Sequence, residues 1–128
     1  MQCVQTKPEV LIVDDERSIT DLLSEDLARE GYHCVEVLTG EDALEKLSMN
    51  KFDIALLDLK LPGISGMDVL REAILTHPET PIIVVTGSGD IQTAVEAMKI
   101  GAADYITKPF ELEKVNRAID KCNKYGYN

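Results

Sequence analysis

The sequence predicts an α/β fold in which five parallel strands form one sheet, in the order 2-1-3-4-5, with five helices covering both faces. Two observations predict it: short apolar, β-branched runs alternate with helical patterns, and the central runs are almost wholly apolar. Strict alternation favours parallel strands because each parallel strand needs a crossover connection, and crossovers are right-handed. Central strands covered on both faces are expected to lack polar alternation. The predicted class is a doubly wound α/β domain.

The predicted strands are short runs rich in valine, isoleucine and leucine. They are VLIVD (10–14), CVEVL (34–38), DIALLD (53–58), PIIVVTG (81–87) and ADYIT (103–107). Gly31, Gly40 and Gly101 mark breaks between these runs and the neighbouring helices.

Each predicted helix carries apolar residues three and four positions apart, which indicates one buried face. Ser18 is predicted to be the N-cap of the first helix. The apolar faces comprise Ile19, Leu22, Leu23 and Leu27 in the first helix, Ala43, Leu44 and Leu47 in the second, Val69, Leu70, Ala73 and Ile74 in the third, Ile91, Ala94, Val95 and Met98 in the fourth, and Leu112, Val115, Ile119 and Cys122 in the fifth. The polar tail NKYGYN follows the fifth helix.

Length and composition indicate one compact domain. The chain has 128 residues, of which 45% are hydrophobic and 28% charged, which is typical of a globular protein. No apolar stretch is long enough to cross a bilayer, and the start MQCVQTKPEV lacks a secretory signal pattern, so a cytoplasmic protein is predicted. Cys3, Cys34 and Cys122 are odd in number and widely spaced, which favours reduced thiols over disulfides or a zinc site.

The formal net charge is −10, and no run rich in lysine or arginine is present. Such a chain would repel a nucleic-acid backbone, so direct nucleic-acid binding is not expected. The acidity suits a divalent cation or a basic partner surface, although a solvated acidic exterior would account for it equally well.

Polar residues stand where the predicted strands end. Strand one ends in Asp14 and Asp15, strand three in Asp58, strand four in Thr86, and strand five runs into Lys108. In the order 2-1-3-4-5, strands one and three are neighbours at the point where the strand order reverses, and ligands bind at the carboxyl ends of strands there. The three carboxylates are therefore expected to converge, with Thr86 one strand further along and Lys108 reaching in from the sheet edge.

Each of these residues alone has a purely structural explanation, as a helix cap, an Asx turn or a neutralising charge. Three carboxylates close together repel one another unless a cation or a proton intervenes. Magnesium takes oxygen ligands from one or two carboxylates and keeps positions open for water and phosphate oxygens. The cluster therefore predicts a Mg²⁺ site.

A metal beside a carboxylate suggests nucleophilic chemistry, because aspartate can accept a phosphoryl group as an acyl phosphate. Once Asp58 carried that group, Mg²⁺, the Lys108 ammonium and the Thr86 hydroxyl would be complementary to its oxygens, and the amide of Gly87 could contribute.

Four stretches carry a resemblance to a known family: the acidic pair after VLIV, the aspartate before LKLPGISG, VVTGSG, and DYITKPF. In this order and spacing they closely resemble the CheY-like receiver domains of two-component response regulators. The resemblance spans about residues 9–124 and implies that 1–128 is a single receiver domain. It further implies a phosphorylation-controlled switch rather than a conventional enzyme, with magnesium-dependent self-phosphotransfer and self-dephosphorylation.

The resemblance assigns roles to individual residues. Asp58 is implied to be the phosphoacceptor, with Asp15 and Asp14 holding Mg²⁺ together with Asp58 and the backbone carbonyl of Lys60. Thr86 and Lys108 are implied to contact the phosphoryl group, and the peptide bond before Pro109 to be cis. Lys60 and Ser88 are expected to flank the path of the water that removes the phosphoryl group.

The resemblance also implies how the signal spreads. Thr86 would shift towards the phosphoryl group and Tyr105 would turn inward, which remodels the fourth helix, fifth strand and fifth helix. That face would bind an output domain, an effector or a second copy in a homodimer. Its candidate contact residues are Ile91, Ala94, Met98, Lys99, Asp104 and Arg117.

The phosphodonor implied by the resemblance is a sensor histidine kinase or a phosphotransfer protein. The sequence of residues 86–110 looks most like that of receivers from multidomain transcriptional regulators, including the NtrC type. Because no output domain follows, the chain is expected to be either a single-domain regulator or a receiver fragment.

Two other classes share parts of this pattern. A haloacid-dehalogenase-type phosphatase needs a second aspartate two residues after the nucleophile, where this chain has Lys60. A flavodoxin-like FMN carrier needs a phosphate-binding loop after strand one, where this chain has DDER. Colour on purification would favour the flavin protein, and turnover of phosphate monoesters would favour the phosphatase.

Overall fold

The structure is a computed structural model that describes residues 7–87 and 90–126. Strands and helices alternate along this part of the chain. The strands are β1 (Glu9–Val13), β2 (His33–Val37), β3 (Ile54–Leu57), β4 (Ile82–Thr86) and β5 (Asp104–Thr107). The helices are α1 (Arg17–Arg29), α2 (Gly40–Met49), α3 (Gly66–Thr76), α4 (Ile91–Ile100) and α5 (Leu112–Gly126). Cys3, predicted to be a reduced thiol, and Ser88, predicted to flank the path of the attacking water, lie outside the described residues.

The five strands form one parallel sheet in the order β2-β1-β3-β4-β5, which confirms the predicted topology. β1 lies between β2 and β3, with Val10 opposite both Cys34 and Ile54. The strand order reverses at β1, so the carboxyl ends of β1 and β3 lie side by side.

Every predicted strand boundary lies within one residue of the observed one. The differences matter at β1 and β3, because Asp14 and Asp58 follow these strands directly instead of closing them. Their backbone amides still continue the sheet hydrogen bonding: Asp14 donates to the carbonyl of Val37 at 3.2 Å and Asp58 to that of Val13 at 2.9 Å. Both residues are therefore positioned by the sheet itself.

The core consists of two apolar layers, one on each face of the sheet. Successive strand residues alternate between the layers: Leu11 and Val13 lie in the layer with α2, α3 and α4, whereas Val10 and Ile12 lie in the layer with α1 and α5. The strands read as continuous apolar runs because both of their faces are buried.

The predicted cap of α1 is wrong. The amides of Ile19 and Thr20 already donate to the carbonyl of Glu16, so Ser18 lies inside the first turn and Glu16 occupies the N-cap position. Leu22, which the pattern placed on the buried face, is 44% exposed.

The predicted core face of α4 is wrong for Ile91, Val95 and Met98, whereas Ala94 is half-buried. Among the ten described residues of α4, Ala97 alone is fully buried. Ile91, Val95 and Met98 are 80%, 46% and 45% exposed. Their spacing of four and three residues places them on one stripe of the helix. This stripe faces solvent because the opposite side of the helix, which carries Ala97, packs towards the sheet.

α5 extends further than predicted, since the helix continues to Gly126 into the segment expected to be a polar tail. Among residues 112–122, for which burial is described, the buried ones are Val115, Ala118 and Ile119. Cys34 and Cys122 are half-buried free thiols, as predicted. No helix within residues 7–87 and 90–126 is long and apolar enough to cross a membrane.

Candidate functional site

Asp14 and Asp58 form the floor of a site at the carboxyl edge of the sheet. Their side chains are 4% and 5% exposed. Burying two carboxylates side by side is unfavourable unless hydrogen bonds and opposite charge compensate. The structure supplies both.

Lys108 provides the opposite charge. Its ammonium nitrogen Nζ donates to Asp14 Oδ2 at 2.6 Å and to Asp58 Oδ2 at 2.9 Å. Its backbone amide donates to the carbonyl of Thr86, which continues the pairing of β4 with β5 past the strand end. The peptide bond between Lys108 and Pro109 is cis, as the resemblance implied.

Both oxygens of Asp58 are engaged. The Thr86 hydroxyl donates to Oδ1 at 2.7 Å, and the backbone amide of Lys60 donates to the same oxygen at 2.9 Å. Thr86 is fully buried. Three donors therefore surround one carboxylate, so that Asp58 is held in place by the strand end on one side and by β4 and β5 on the other.

These contacts set the ionisation of the two buried carboxyls. Burial opposes the charge of Asp58, but hydrogen bonds from Lys108, the Lys60 amide and Thr86 outweigh it and hold the pKa of Asp58 below its ordinary value. Burial raises the pKa of Asp14, and the charge of Asp58 adds to that effect, although hydrogen bonds from Lys108 and the Glu16 amide oppose it. Asp58 is thus the carboxyl best stabilised as an anion.

The ammonium group responds in the complementary sense. Burial acts to lower the pKa of Lys108, but its hydrogen bonds to Asp14 and Asp58 raise it above the ordinary value. Lys108 therefore keeps its charge throughout the neutral range.

Asp15 extends the acidic cluster towards solvent. Among the described residues, Asp14, Asp15 and Asp58 can each offer one oxygen with all three atoms within 4.8 Å of one another. Carboxylate oxygens are the ligands that Mg²⁺ prefers, and the exposed position of Asp15 leaves room for waters on that side. The donor set fits Mg²⁺. The contribution of the Lys60 carbonyl stays a prediction.

Tyr105 lies further from the acidic cluster, on β5 opposite Val84 of β4. It is half-buried and packs against the apolar layer that contains Ala97 of α4. Burial raises the pKa of its hydroxyl, with smaller contributions from the charges of Asp90 and Asp58. The role of Tyr105 as a switch residue stays a prediction.

Glu16 was not among the site residues predicted from the sequence. Its carboxylate Oε1 lies 3.6 Å from Lys108 Nζ, and its backbone amide donates to Asp14 Oδ1 at 2.9 Å. The uninterrupted acidic run Asp14, Asp15, Glu16 was the available signal, because a third acidic residue directly after a cluster also lies close to its counter-charge.

The fold and this site define a class: a doubly wound α/β domain with a buried aspartate, a neighbouring acidic cluster and a lysine at the switch point of the sheet. The sequence profile of the response regulator receiver domain matches residues 10–120. The chain belongs to the response regulator receiver domain family, and the domain is a phosphorylation-controlled switch of two-component signalling.

Curated relatives agree. The chain is 39% identical over 109 residues to the transcriptional regulatory protein YkoG of Bacillus subtilis, a match covering 85% of this chain and 48% of that protein. It is 43% identical over 117 residues to the luminescence regulatory protein LuxO of Vibrio campbellii, covering 88% of this chain and 26% of LuxO. The chain therefore spans about half or less of the length of these relatives.

Solved structures show the same fold. The signal receiver domain of a LuxO repressor protein from Vibrio parahaemolyticus superposes with a TM-score of 0.90 at 31% identity, covering 95% of this chain and 94% of that one. A response regulator from Burkholderia pseudomallei, described with a phosphorylated aspartic acid, a calcium ion and citrate, gives 0.83 at 29% identity, covering 92% and 70%.

Proposed function

We propose that Asp58 accepts a phosphoryl group from a phosphohistidine of a sensor histidine kinase or a phosphotransfer protein. An oxygen of Asp58 attacks phosphorus, the bond from phosphorus to the histidine nitrogen breaks, and an acyl phosphate remains on Asp58. The observation that carries the proposal is the environment of Asp58, a buried anion with donors on both oxygens beside two further carboxylates. The phosphorylated aspartic acid of the Burkholderia pseudomallei regulator gives independent support.

The surrounding residues would act as follows. Lys108 already contacts Asp58 Oδ2, so its ammonium is close to where phosphoryl charge would appear. Thr86 would transfer its hydrogen bond from Asp58 Oδ1 to a phosphoryl oxygen. Asp14, Asp15, Asp58 and the carbonyl of Lys60 would hold Mg²⁺, which when bound supplies positive charge that offsets repulsion between the acidic cluster and the phosphoryl group.

We also propose that the domain removes its own phosphoryl group. A water would attack phosphorus and restore the Asp58 carboxylate, again with Mg²⁺. Lys60 follows Asp58 by two positions, and its exposed side chain lies beside the water path in this proposal. The identity of residue 60 would then tune the lifetime of the phosphorylated state.

The proposed output face consists of α4, β5 and α5. Ile91, Val95 and Met98 form an exposed apolar stripe on this face. Exposed apolar surface of this kind favours contact with a protein partner over contact with water. A shift of Thr86 towards the phosphoryl group would open space for Tyr105 to turn inward and bias the position of α4. We propose that this face then binds an output domain or effector, or a second copy of the chain as a homodimer.

The relatives support a proposal for the wider setting of the domain. We propose that residues 1–128 form one receiver domain of a multidomain transcriptional regulator, similar to LuxO, and that it acts in the cytoplasm, as response regulators generally do. The net charge of −10 supports regulation through protein contacts and not through direct binding of DNA by this domain.

Exchange of Asp15 tests the metal. Incubation with Mg²⁺ and acetyl phosphate is expected to add one phosphoryl group to the protein, seen by intact-mass analysis, and chelation is expected to prevent it. Asp15→Asn should weaken Mg²⁺ binding by about tenfold and slow phosphorylation in parallel, because one hard-ion ligand loses its charge. Calorimetric titration measures the affinity, with Asp120→Asn, an exposed aspartate on α5, as the matched control. Equal Mg²⁺ affinity in both variants would rule Asp15 out as a ligand.

Exchange of Thr86 tests the coupling. With beryllofluoride as the phosphoryl mimic, unsubstituted protein is expected to show NMR shifts at Tyr105 and along α4. Thr86→Ala should still bind beryllofluoride at Asp58 but lose the distant shifts, because a population shift requires different contacts in the two states. Thr76→Ala, which removes an exposed hydroxyl bonded within α3, is the control. Distant shifts of equal size in Thr86→Ala would show that another residue couples the site to α4.

A further inference from the structure

The loop between β3 and α3, residues 58–65, carries Asp58 at one end and is contacted by the first turn of α2. The backbone amide of Ile64 in this loop donates to Oε2 of Glu41 at 3.3 Å. Glu41 is the second residue of α2 and belongs to neither the acidic cluster nor its counter-charge. None of the roles assigned so far explains this contact between the Glu41 side chain and the loop.

The glycine beside this contact makes the fit tight. Gly63 has φ of +75°, a left-handed conformation that favours glycine. A Cβ at this position would lie 2.8 Å from Oε2 of Glu41 and 3.2 Å from its Oε1. The carboxylate of Glu41 therefore lies directly against the turn of the loop.

A second close approach lies next to the first. A Cβ on Gly40, the first residue of α2, would come within 2.5 Å of the side chain of Ile64 and 2.6 Å of that of Val69. Gly40 and Glu41 thus contact the same segment of the loop, one through packing and the other through a hydrogen bond. The start of α2 itself is held by the Thr39 side chain, which accepts a hydrogen bond from the amide of Asp42.

The far end of the loop returns to Asp58. Gly66, the first residue of α3, donates its amide to the carbonyl of Leu59 at 3.1 Å, and a Cβ on it would lie 2.5 Å from the carbonyl oxygen of Asp58. The backbone amide of Lys60, the residue after Leu59, donates to Asp58 Oδ1. Displacement of the loop would consequently move a donor that holds the Asp58 carboxylate.

We infer that Glu41 is a positioning residue for Asp58: it fixes the loop at Gly63 and Ile64, so that the Lys60 amide stays directed at the carboxylate. Glu41 acts through the loop and does not touch the reacting atoms. The inference rests on the proposed function, in which Asp58 is the phosphoacceptor. Its structural half, the ordering of the loop by Glu41, is independent of any phosphorylation.

Three variants test it. Glu41→Ala removes the acceptor, Glu41→Gln keeps an oxygen acceptor in nearly the same shape, and Glu45→Ala removes an exposed carboxylate one turn further along α2. Hydrogen exchange of the Ile64 and Lys60 amides, followed by NMR without a phosphodonor, is expected to accelerate about threefold to tenfold in Glu41→Ala. Glu41→Gln and Glu45→Ala should remain close to the unsubstituted protein. Urea unfolding of each variant separates this local change from a global loss of stability.

Phosphorylation by acetyl phosphate with Mg²⁺ provides the second measurement. Glu41→Ala should gain its phosphoryl group about threefold to tenfold more slowly than Glu45→Ala, and Glu41→Gln should recover most of the rate. Unchanged exchange of Ile64 and Lys60 in Glu41→Ala would overturn the inference, as would equal phosphorylation rates in Glu41→Ala and Glu45→Ala. If the unsubstituted protein gained no phosphoryl group, the proposed function would fail, and with it the role of Glu41 at a phosphoacceptor. The amide exchange would still decide whether Glu41 orders the loop.

Gly63→Ala tests the same contact by changing the loop residue instead of Glu41. The added methyl group would strain a left-handed residue and press on Glu41, so the Ile64 and Lys60 amides should again exchange faster. In combination with Glu41→Ala the second substitution should have a smaller effect than alone, because the crowding against the carboxylate is gone. Strict additivity of the two effects would overturn the contact between Glu41 and Gly63.

Discussion

Protein that carries Asp58→Asn is expected to gain no phosphoryl group from acetyl phosphate and Mg²⁺. The asparagine keeps an oxygen that can accept from Thr86 and Lys60, so the fold should persist. Its amide nitrogen, however, is not a nucleophile and would face Lys108 Nζ, donor against donor, where Asp58 Oδ2 now accepts at 2.9 Å. Lys108 keeps its contact with Asp14, which limits the loss of stability. Intact-mass analysis measures the modification, and circular dichroism checks the fold.

The control for this experiment is again Asp120→Asn, which makes the same chemical change on an exposed position of α5 and should leave phosphorylation intact. An acyl phosphate is cleaved by hydroxylamine, which distinguishes it from a phosphorylated hydroxyl group. A hydroxylamine-labile modification that persists at full level in Asp58→Asn would place the phosphoacceptor elsewhere.

Lys108→Met is expected to produce the largest loss of stability at the site, about 3 kcal/mol in the free energy of unfolding at neutral pH. Methionine matches the length of the lysine stem but leaves Asp14 and Asp58 buried without their counter-charge. Urea unfolding measures the change. Lys114→Met, on the exposed side of α5, is the control and should have little effect.

The dependence of this loss on pH follows from the carboxyls. The pKa of Asp58 is held below its ordinary value, so its ionised form contributes stability above the unfolded-state pKa, and that contribution disappears as the pH falls through the folded value. Since Lys108 is one source of that contribution, the deficit of Lys108→Met should shrink as the pH falls below about 4, the unfolded-state pKa of an aspartate, towards the lower folded value. Adding Asp14→Asn to Lys108→Met should restore part of the stability by removing one of two adjacent charges. A deficit independent of pH and of Asp14 would mean that Lys108 acts through packing alone.

The sequence predicted the sheet well because buried parallel strands have an unmistakable composition. Each run of valine, isoleucine and leucine is short and bounded by polar or glycine residues, so its ends could be placed within one residue. The same property located the site, since polar residues directly after apolar strands, such as Asp14 and Asp58, must lie at the sheet edge. That part of the prediction needed no knowledge of side-chain contacts.

The helices were harder because apolar spacing shows that a helix has a face but not where the face points. In α4 the stripe of Ile91, Val95 and Met98 satisfies the pattern of a core face, yet the structure buries Ala97. Contacts between distant parts of the chain were also beyond the sequence. Nothing local links Glu41 to Ile64, because this pair exists only once the fold has brought α2 against the loop between β3 and α3.

The shallow seating of α4 has a consequence for the energy that signalling requires. Within α4 only Ala97 is fully buried and Ile100 is partly buried against the core, so the helix loses less apolar contact when it tilts or slides than a deeply packed helix would. One tie, the contact of Arg71 on α3 with Glu96 at 2.8 Å, is exposed and therefore weak. Under the proposed coupling through Thr86, modest changes around Asp58 would redistribute the populations of such a helix, whereas the deeply packed strands beneath it would stay fixed and keep the site intact.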